Sequence, residues 1–204
     1  MPSSPYTGHA NQAKHDIESS ELRKKKRMKC LAYVAAFAVF QTAVILIFVL
    51  TIMKVRTPKF RVRSADFDES FQVGNLSTPS FSFRMDAELG VKNANFGNYK
   101  FQNSSIFFLY GDTGVGEAAF SKSKAGWRST KKFHVSVDLS SKSLPSNSQL
   151  GNDLRSGVLN LRSQSRLDGK VELLFIFKKK KSVNMDCTLT IGVAEKQVRQ
   201  ISCK

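Results

Sequence analysis

The chain has little of several residue types on which chemistry or covalent cross-linking depends. Its 204 residues include three cysteines, three histidines and five prolines. Three cysteines exclude a small fold held together mainly by disulfides, and three histidines leave little material for a metal site or a catalytic triad. Acidic residues are also scarce, with 16 against 32 Lys and Arg, so the net charge is +16. That excess favours an anionic partner such as nucleic acid, a membrane surface or an acidic polymer.

One long hydrophobic run organises the chain. Residues 30–53 contain no charge in 24 positions, and as a helix they would extend about 36 Å, enough to cross a hydrocarbon core of about 30 Å. A cleaved signal peptide is the alternative, but its apolar region is only about 7–15 residues long and is closed by a small-residue cleavage site, which this run lacks. We therefore predict a disordered basic cytosolic tail over 1–29, a transmembrane helix over 30–53 and a folded domain over 54–204.

The flanks of this run predict its orientation. Six basic residues lie within 23–29 and five within 54–63, and we place the tighter cluster in the cytosol. Glycosylation sequons at Asn75 and Asn103 lie on the other side, which agrees with an extracytosolic domain. We expect a single-pass protein with a cytosolic N-terminus, in the plasma membrane or, as the alternative, in the endoplasmic reticulum or another endomembrane.

The cytosolic edge of the helix has two features with alternative interpretations. The basic block over 23–29 sets topology, or it also attracts anionic lipid headgroups. Cys30, at the edge itself, is either a site of S-palmitoylation or an unmodified small apolar residue.

The domain after the helix has the period-two pattern of β-strands. Residues 81–92 alternate apolar and polar without a break, which is typical of a long, half-buried strand. Similar stripes cover 133–140, 171–177 and 185–193, and weaker ones cover 60–67, 99–110, 115–120 and 158–167. Turn signals lie at 93–98, 111–116 and 168–169. We predict an antiparallel β-sandwich, with one short helix that starts near Ser146 and stops at Gly157.

The last two strands predict a cross-link. If 183–193 and 197–203 form a hairpin, Val193 faces Gln197, Ile191 faces Arg199 and Cys187 faces Cys203. Directly opposed residues have Cα atoms about 4.5–5.5 Å apart, which is within the range of a disulfide. The alternative is a pair of free thiols, which would require the sandwich to face the cytosol.

Three stretches together resemble a known family. Asn93, Asn95, Phe96, Gly97 and Tyr99 match the "N-P-N-F-G-x-Y" signature of plant late-embryogenesis-abundant group 2 domains, with Ala94 in place of the proline. Residues 151–159 resemble the central segment of these domains, and 169–187 resemble their C-terminal half. With the basic tail and the single hydrophobic run, residues 20–204 resemble the harpin-induced, non-race-specific disease-resistance-like subfamily, often labelled late embryogenesis abundant hydroxyproline-rich glycoproteins.

The resemblance implies an immunoglobulin-like or fibronectin-like β-sandwich, a membrane location in a plant and a link to defence or abiotic stress. It implies no catalytic residues. The five prolines of this chain do not form the proline-rich segment that the subfamily label suggests.

The residues themselves also argue against an enzyme. His134 is the one histidine of the domain, and a lone histidine on the polar face of a strand is usually just solvated. The acidic residues form no spaced pair typical of acid/base catalysis, and no nucleophile, metal or dinucleotide motif is present. Residues 111–116, GDTGVG, lack the strand-to-helix context of a phosphate loop. We therefore predict no catalytic residues, no metal and no cofactor.

The charge of the domain suggests its partners. Residues 54–204 contain 25 basic and 13 acidic side chains, a net +12. Behind a membrane anchor that charge points to lipid headgroups or acidic wall polysaccharide rather than nucleic acid. The densest patch is Lys178, Lys179, Lys180 and Lys181, either a solvated hairpin loop or a contact to an anionic surface.

The function that we predict is that of a membrane-anchored interaction or structural protein in plant defence or abiotic stress. Its basic sandwich would lie outside the cytosol and contact an anionic cell-wall polymer. The alternative is an endomembrane module that binds lipid or another membrane protein, in trafficking or at membrane contacts.

Overall fold

The computed structural model describes residues 7–52, 54–75, 77–145, 149–173 and 177–204. The chain divides into two compact units, Met1–Thr51 and Ile52–Lys204. The first unit contains one helix, α1 (Thr7–Ile52). Its stretch Lys24–Thr51 is long and apolar enough to cross a membrane, and it is the only such helix among the described residues; a signal sequence near the N-terminus would satisfy the same criterion.

The start of α1 differs from the sequence prediction. Residues 7–29 were predicted to be a disordered tail, but in the structure they continue the helix toward the N-terminus. Ala, Gln, Lys, Glu, Leu and Arg, which are good helix formers, account for much of this segment. Adding residues to an existing helix also avoids the unfavourable nucleation step. The predicted disorder of residues 1–6 falls outside the described residues.

The second unit is built from antiparallel strands, numbered here in chain order. They are β1 (Lys59–Phe67), β2 (Gln72–Val73), β3 (Phe81–Lys92), β4 (Gly97–Phe101), β5 (Ser104–Tyr110), β6 (Thr113–Phe120), β7 (Ser123–Ala125), β8 (Thr130–Ser140), β9 (Val158–Leu173), β10 (Phe177–Gly192) and β11 (Gln197–Cys203). In one sheet, β1, β2 and β8 each pair with β3. The other sheet has the order β11-β10-β9-β4-β7; β5 also pairs with β9, and β6 pairs with β5. The predicted mainly β class, with one short helix and a preceding apolar helix, is confirmed.

Alternation along β3 explains how the core forms. Phe81, Phe83, Met85, Ala87, Leu89 and Val91 are all at most 2% exposed, while most of the residues between them face solvent. Leucines of β9 and apolar residues of β10 cover them from the second sheet. Period-two patterning therefore produces two inner faces that bury each other.

The short helix lies close to its predicted position. The structure has α2 (Leu150–Ser156), which ends at Gly157 with a φ of 73°, a left-handed conformation that glycine adopts without strain. The predicted start near Ser146 falls outside the described residues.

Three strand predictions were wrong in detail. Residues 168–169 are not a turn, because β9 continues through them to Leu173. A Cβ atom on Gly169 would lie 2.5 Å from the carbonyl oxygen of Lys100 and 2.7 Å from the Tyr99 ring, so this glycine permits close packing inside a strand. Predicted strand 99–110 is interrupted at 102–103, where the Gln102 amide donates to the Asp168 carbonyl. The predicted strand 171–177 is wrong as a single strand, because β9 ends at Leu173 and β10 begins at Phe177, which pairs back with Leu173. Residues 174–176 are not described.

The register of the last hairpin agrees with the prediction only in part. Cys187 lies opposite Cys203, and the predicted pairing continues to Thr190. A bulge then places Ile191 opposite Val198 and Gly192 opposite Gln197, so the predicted partners of Ile191 and Val193 were wrong. The turn between the two strands covers four residues, 193–196, and places Lys196 at a φ of 52°.

Candidate functional site

The Asn93–Asn95 motif is a buried hydrogen-bond network. Asn93 is fully buried and Asn95 is 2% exposed. The Nδ2 of Asn93 donates to the carbonyl oxygens of Gly97 at 2.6 Å, Gly126 at 2.8 Å and Ala125 at 3.2 Å. Its Oδ1 accepts from the backbone and side-chain nitrogens of Asn95 at 3.0 and 2.9 Å. Only asparagine has both an acceptor oxygen and a donor nitrogen with two protons on such a short side chain.

Asn95 carries the network to the segment that precedes β1. Its Oδ1 accepts from the Arg56 amide at 2.6 Å, and its Nδ2 donates to the Arg56 carbonyl at 2.8 Å. These two bonds pair the Asn95 amide with the backbone of Arg56, four residues after the end of α1. The motif therefore fixes the backbone of Arg56, where the chain enters the sandwich.

The other motif residues lie next to this network in the chain and make contacts of their own. Tyr99 is buried and donates to the carbonyl oxygens of Lys181 at 2.9 Å and Leu167 at 3.3 Å. Burial, with a smaller effect of the Asp168 carboxylate, raises the pKa of Tyr99 to about 12. Gly97 lies close to the Glu172 carbonyl. A Cβ atom at position 97 would be only 2.0 Å from that carbonyl oxygen. Phe96 is 36% exposed.

The predicted modification sites lie on accessible surface. Asn75 and Asn103 are exposed, and their Oδ1 atoms accept bonds from the amides of Thr78 and Lys122. Cys30 is an exposed free cysteine on α1. Cys187 and Cys203 form a disulfide with Cα atoms 4.0 Å apart.

Lys178, Lys179, Lys180 and Lys181 are not in a loop. They belong to β10 and pair with β9, so the predicted hairpin loop was wrong. Charged side chains are compatible with a strand here because alternate residues face solvent. The four therefore do not form one patch: Lys178 and Lys180 share the outer face with Glu172 and Lys170, while Lys179 and Lys181 alternate with them.

The register brings lysines from four strands into one line on this outer face. Lys124 of β7 lies opposite Lys100 of β4, Lys100 opposite Lys170 of β9, and Lys170 opposite Lys180 of β10. We call these four residues the lysine row. All four are exposed, and neighbouring strands are about 4.8 Å apart, so the row extends about 14 Å across the sheet.

Few negative charges balance the lysine row. Glu172 binds Lys100 at 2.7 Å and lies 4.0 Å from Lys178. The hydrogen bond from Lys100, with the charges of Lys178 and Lys170, lowers the pKa of the Glu172 carboxyl. In the part of the chain that the structure describes, Lys124, Lys170 and Lys180 have no ion-pair partner. Like charges directly opposite one another destabilise a sheet, so the row is unfavourable without an anion.

The first sheet also has a basic surface. Lys59, Arg61, Arg63 and Lys92 surround Gly90 and line a groove of about 390 Å³. Arg63 donates to Glu88 at 3.0 Å, and Lys132 lies 3.3 Å from the same carboxylate. Lys59, Arg61 and Lys92 have no such partner among the described residues.

The described residues offer no arrangement for catalysis. His134 is exposed on β8, with Nε2 3.9 Å from Glu88 Oε2. Within the described ranges no three His, Cys, Asp or Glu side chains are grouped to hold a metal ion.

Sequence reasoning missed both the Arg56 contact and the lysine row. The exposed lysines at even positions of β4 and β9 were visible as a polar stripe, but only the strand register shows that they share one line. The partner of Asn95 lies 39 residues earlier, where no local signal indicates it.

The fold and these surfaces define a β-sandwich protein with one preceding apolar helix and no described catalytic centre. No family model matches the chain. A curated late embryogenesis abundant protein of Arabidopsis thaliana is 28% identical over 178 residues, which covers 86% of this chain and 83% of the relative. The resemblance read from the motifs is thereby confirmed, and the chain is a late-embryogenesis-abundant-like protein.

Solved structures show weaker likeness. A solution structure of another Arabidopsis thaliana protein has a TM-score of 0.37 at 9% identity and covers 67% of this chain and 83% of that protein. A crystal structure of an Archaeoglobus fulgidus protein has a TM-score of 0.33 at 10% identity, with coverage of 63% and 96%.

Proposed function

We propose that the chain is a membrane-anchored, non-enzymatic protein of plant stress or defence whose sandwich binds an acidic cell-wall polysaccharide. The apolar stretch Lys24–Thr51 supports the anchor, and the late embryogenesis abundant relative supports the stress role. The exposed sequons and the disulfide favour a sandwich outside the cytosol and an N-terminus inside it. The membrane that we propose is the plasma membrane.

The lysine row is the observation that carries the binding proposal. A linear uronic acid polymer has one carboxylate on each sugar, and an extended sugar unit is comparable in length to the spacing between strands. Carboxylates along the polymer can therefore meet lysines along the row. The bound polymer would also relieve the repulsion among the four ammonium groups, which favours the bound state.

Neutralising the lysine row is expected to weaken polymer binding more than about tenfold at low salt, since four exposed charge contacts each contribute modestly. The variant carries Lys100→Gln, Lys124→Gln, Lys170→Gln and Lys180→Gln. The full-length chain is placed in phosphatidylcholine nanodiscs, and its affinity for polygalacturonate is measured over a salt series. Added salt should reduce the difference in affinity between the variant and the wild type, because salt screens exposed charges.

A second variant with the same change in net charge tests whether polymer binding depends on the arrangement of the lysines or only on the total charge. Lys131→Gln, Lys142→Gln, Arg155→Gln and Lys204→Gln also remove four exposed charges, but these residues do not share a row. Equal losses of affinity in both variants would contradict the role of the row. They would still agree with an acidic partner that responds to the total charge of the domain. A wild-type chain that does not bind polygalacturonate would contradict the wall-polymer function itself.

The basic groove of the first sheet favours the second candidate function, a module that binds lipid or another membrane protein in the endomembrane system. Lys59, Arg61 and Lys92 offer free cations to a phosphate-bearing headgroup. Stronger binding to acidic vesicles than to polygalacturonate, abolished by replacing these three residues with Gln, would support this candidate over the first.

Treatment of the expressed full-length protein with an N-glycosidase is expected to lower its mass, because a sandwich in the secretory lumen exposes its sequons to glycosylation. The shift should disappear in the Asn75→Gln, Asn103→Gln double variant. Asn184→Gln, at an exposed asparagine outside a sequon, should leave it unchanged. A glycosidase-resistant protein that protease digests from the cytosolic side would refute the proposed orientation.

A further inference from the structure

The second unit exposes few large apolar side chains, and most of them lie at one end. Within its described residues they are Phe96, Phe107, Trp127 and Phe177, which are 36%, 47%, 51% and 53% exposed. Exposed aromatic residues that cluster, rather than scatter, mark an interaction surface. Their placement therefore decides whether they have a shared partner.

Three of the four aromatics are brought together by the hydrogen bonds and register of the sheet. The Arg128 amide donates to the Asn95 carbonyl at 3.1 Å, and the Arg128 guanidinium lies 5.1 Å from the centre of the Phe96 ring. Trp127 is therefore next to Phe96 in space. Phe177 pairs with Leu173, which pairs on its other side with Gly97. We call Phe96, Trp127 and Phe177 the aromatic end. Phe107 pairs with Glu117 and Gln164 instead.

The segments that form this end are basic. Residues 54–60, 92–100 and 126–131 contain seven Lys and Arg and no Asp or Glu. Aromatic rings next to Lys and Arg are the composition of a membrane–water interface, where the ring enters the headgroup layer and the cation contacts phosphate. A soluble acidic partner would have no need of the exposed rings.

The entry of the chain lies at the same end. Asn95, the residue before Phe96, holds the backbone of Arg56, and Arg56 follows the last residue of α1 by four positions. An extended chain of that length spans at most about 14 Å. An inserted α1 would thus keep the aromatic end within reach of the bilayer surface.

We infer that the aromatic end rests in the interface of the membrane that α1 crosses, with Phe96, Trp127 and Phe177 in contact with lipid. This inference rests on the proposed anchoring of α1. It implies that the sandwich is held against the membrane rather than free on a tether, so that the lysine row is presented from a defined position.

The chain contains one tryptophan, so Trp127 is an intrinsic probe of this contact. The full-length chain is reconstituted in nanodiscs of ordinary lipid or of lipid brominated near the headgroup. Contact with lipid predicts a blue-shifted Trp127 emission that loses most of its intensity in brominated lipid and resists aqueous acrylamide. Emission that is unaffected by bromine and quenched by acrylamide would overturn the inference.

Aromatic substitutions test whether the rings hold the contact. Phe96→Ser and Phe177→Ser should each restore much of the emission in brominated lipid, whereas Phe107→Ser, at an equally exposed ring elsewhere, should not. Unchanged quenching in the first two variants would mean that the short linker alone brings Trp127 near lipid, and would refute the role of the rings.

Two further outcomes are distinguishable. Emission shielded from both bromine and acrylamide would mean that another copy or another protein covers the aromatic end, and would overturn the inference. Extraction of the chain from membranes by alkaline carbonate would refute the proposed anchoring itself, whereas retention with unquenched Trp127 would refute only the lipid contact.

Discussion

Replacing Asn93 with alanine is expected to lower the free energy of unfolding by about 3–5 kcal/mol, because several buried polar groups lose partners and each such loss costs about 1–3 kcal/mol. The carbonyl oxygens of Gly97, Ala125 and Gly126 lose a donor. The backbone and side-chain N–H groups of Asn95 lose their acceptor. Urea unfolding of the full-length chain in nanodiscs, followed by Trp127 emission, measures the change.

A matched asparagine supplies the control for this prediction. Asn98 lies five residues away on β4 and is only partly buried, so Asn98→Ala should change the free energy of unfolding by less than about 1 kcal/mol. If Asn93→Ala is as mild as Asn98→Ala, the network does not stabilise the sandwich.

Removing the disulfide is the second change with a large expected effect. Cys187 and Cys203 are 16 residues apart, and closing a loop of that size stabilises a fold by about 3 kcal/mol in the chain-entropy model. Cys203→Ser should therefore lower the free energy of unfolding by about that amount. Reduction of the wild type by dithiothreitol should produce the same loss.

The third cysteine provides the comparison. Cys30 lies on α1, so Cys30→Ser should leave the unfolding of the sandwich unchanged. Thiol titration should find one reactive thiol in the unfolded, unreduced wild type and three after reduction. Three thiols without reductant would show that the bond does not form in the protein as expressed, and would reopen the cytosolic alternative.

The binding proposal and the stability of the sandwich are linked through the lysine row. Lys170 lies between Lys100 and Lys180, and opposed like charges cost stability that an anionic ligand restores. Such a row of unbalanced lysines is expected at a binding surface. The repulsion among the lysines destabilises the free protein, and a bound anion relieves it. The aromatic end gives a second constraint, since it would set which way the row faces relative to the membrane.

Much of the fold could be predicted from local pattern. The unbroken alternation over 81–92 matches β3 residue for residue, and Gly157 marks the end of α2. Errors arose where a local signal had a tertiary explanation. Gly169 resembles a turn residue, but it is a glycine because the Tyr99 ring packs against it. The lysines over 178–181 resemble a loop, but pairing with β9 makes them part of a strand.

The sequence by itself determined the apolar helix, the β class, the placement of Cys187 opposite Cys203 and the excess of positive charge. These features follow from composition and from hydrophobic patterns that repeat every few residues, which the geometry of helices and strands dictates. Only the tertiary structure decided which lysines form a row, which aromatics share an end and what Asn95 holds. Many of the residues that these arrangements join are distant in the chain, 39 positions for Asn95 and Arg56 and 70 for Lys100 and Lys170. The register that aligns them is set by the packing of two sheets rather than by neighbouring residues.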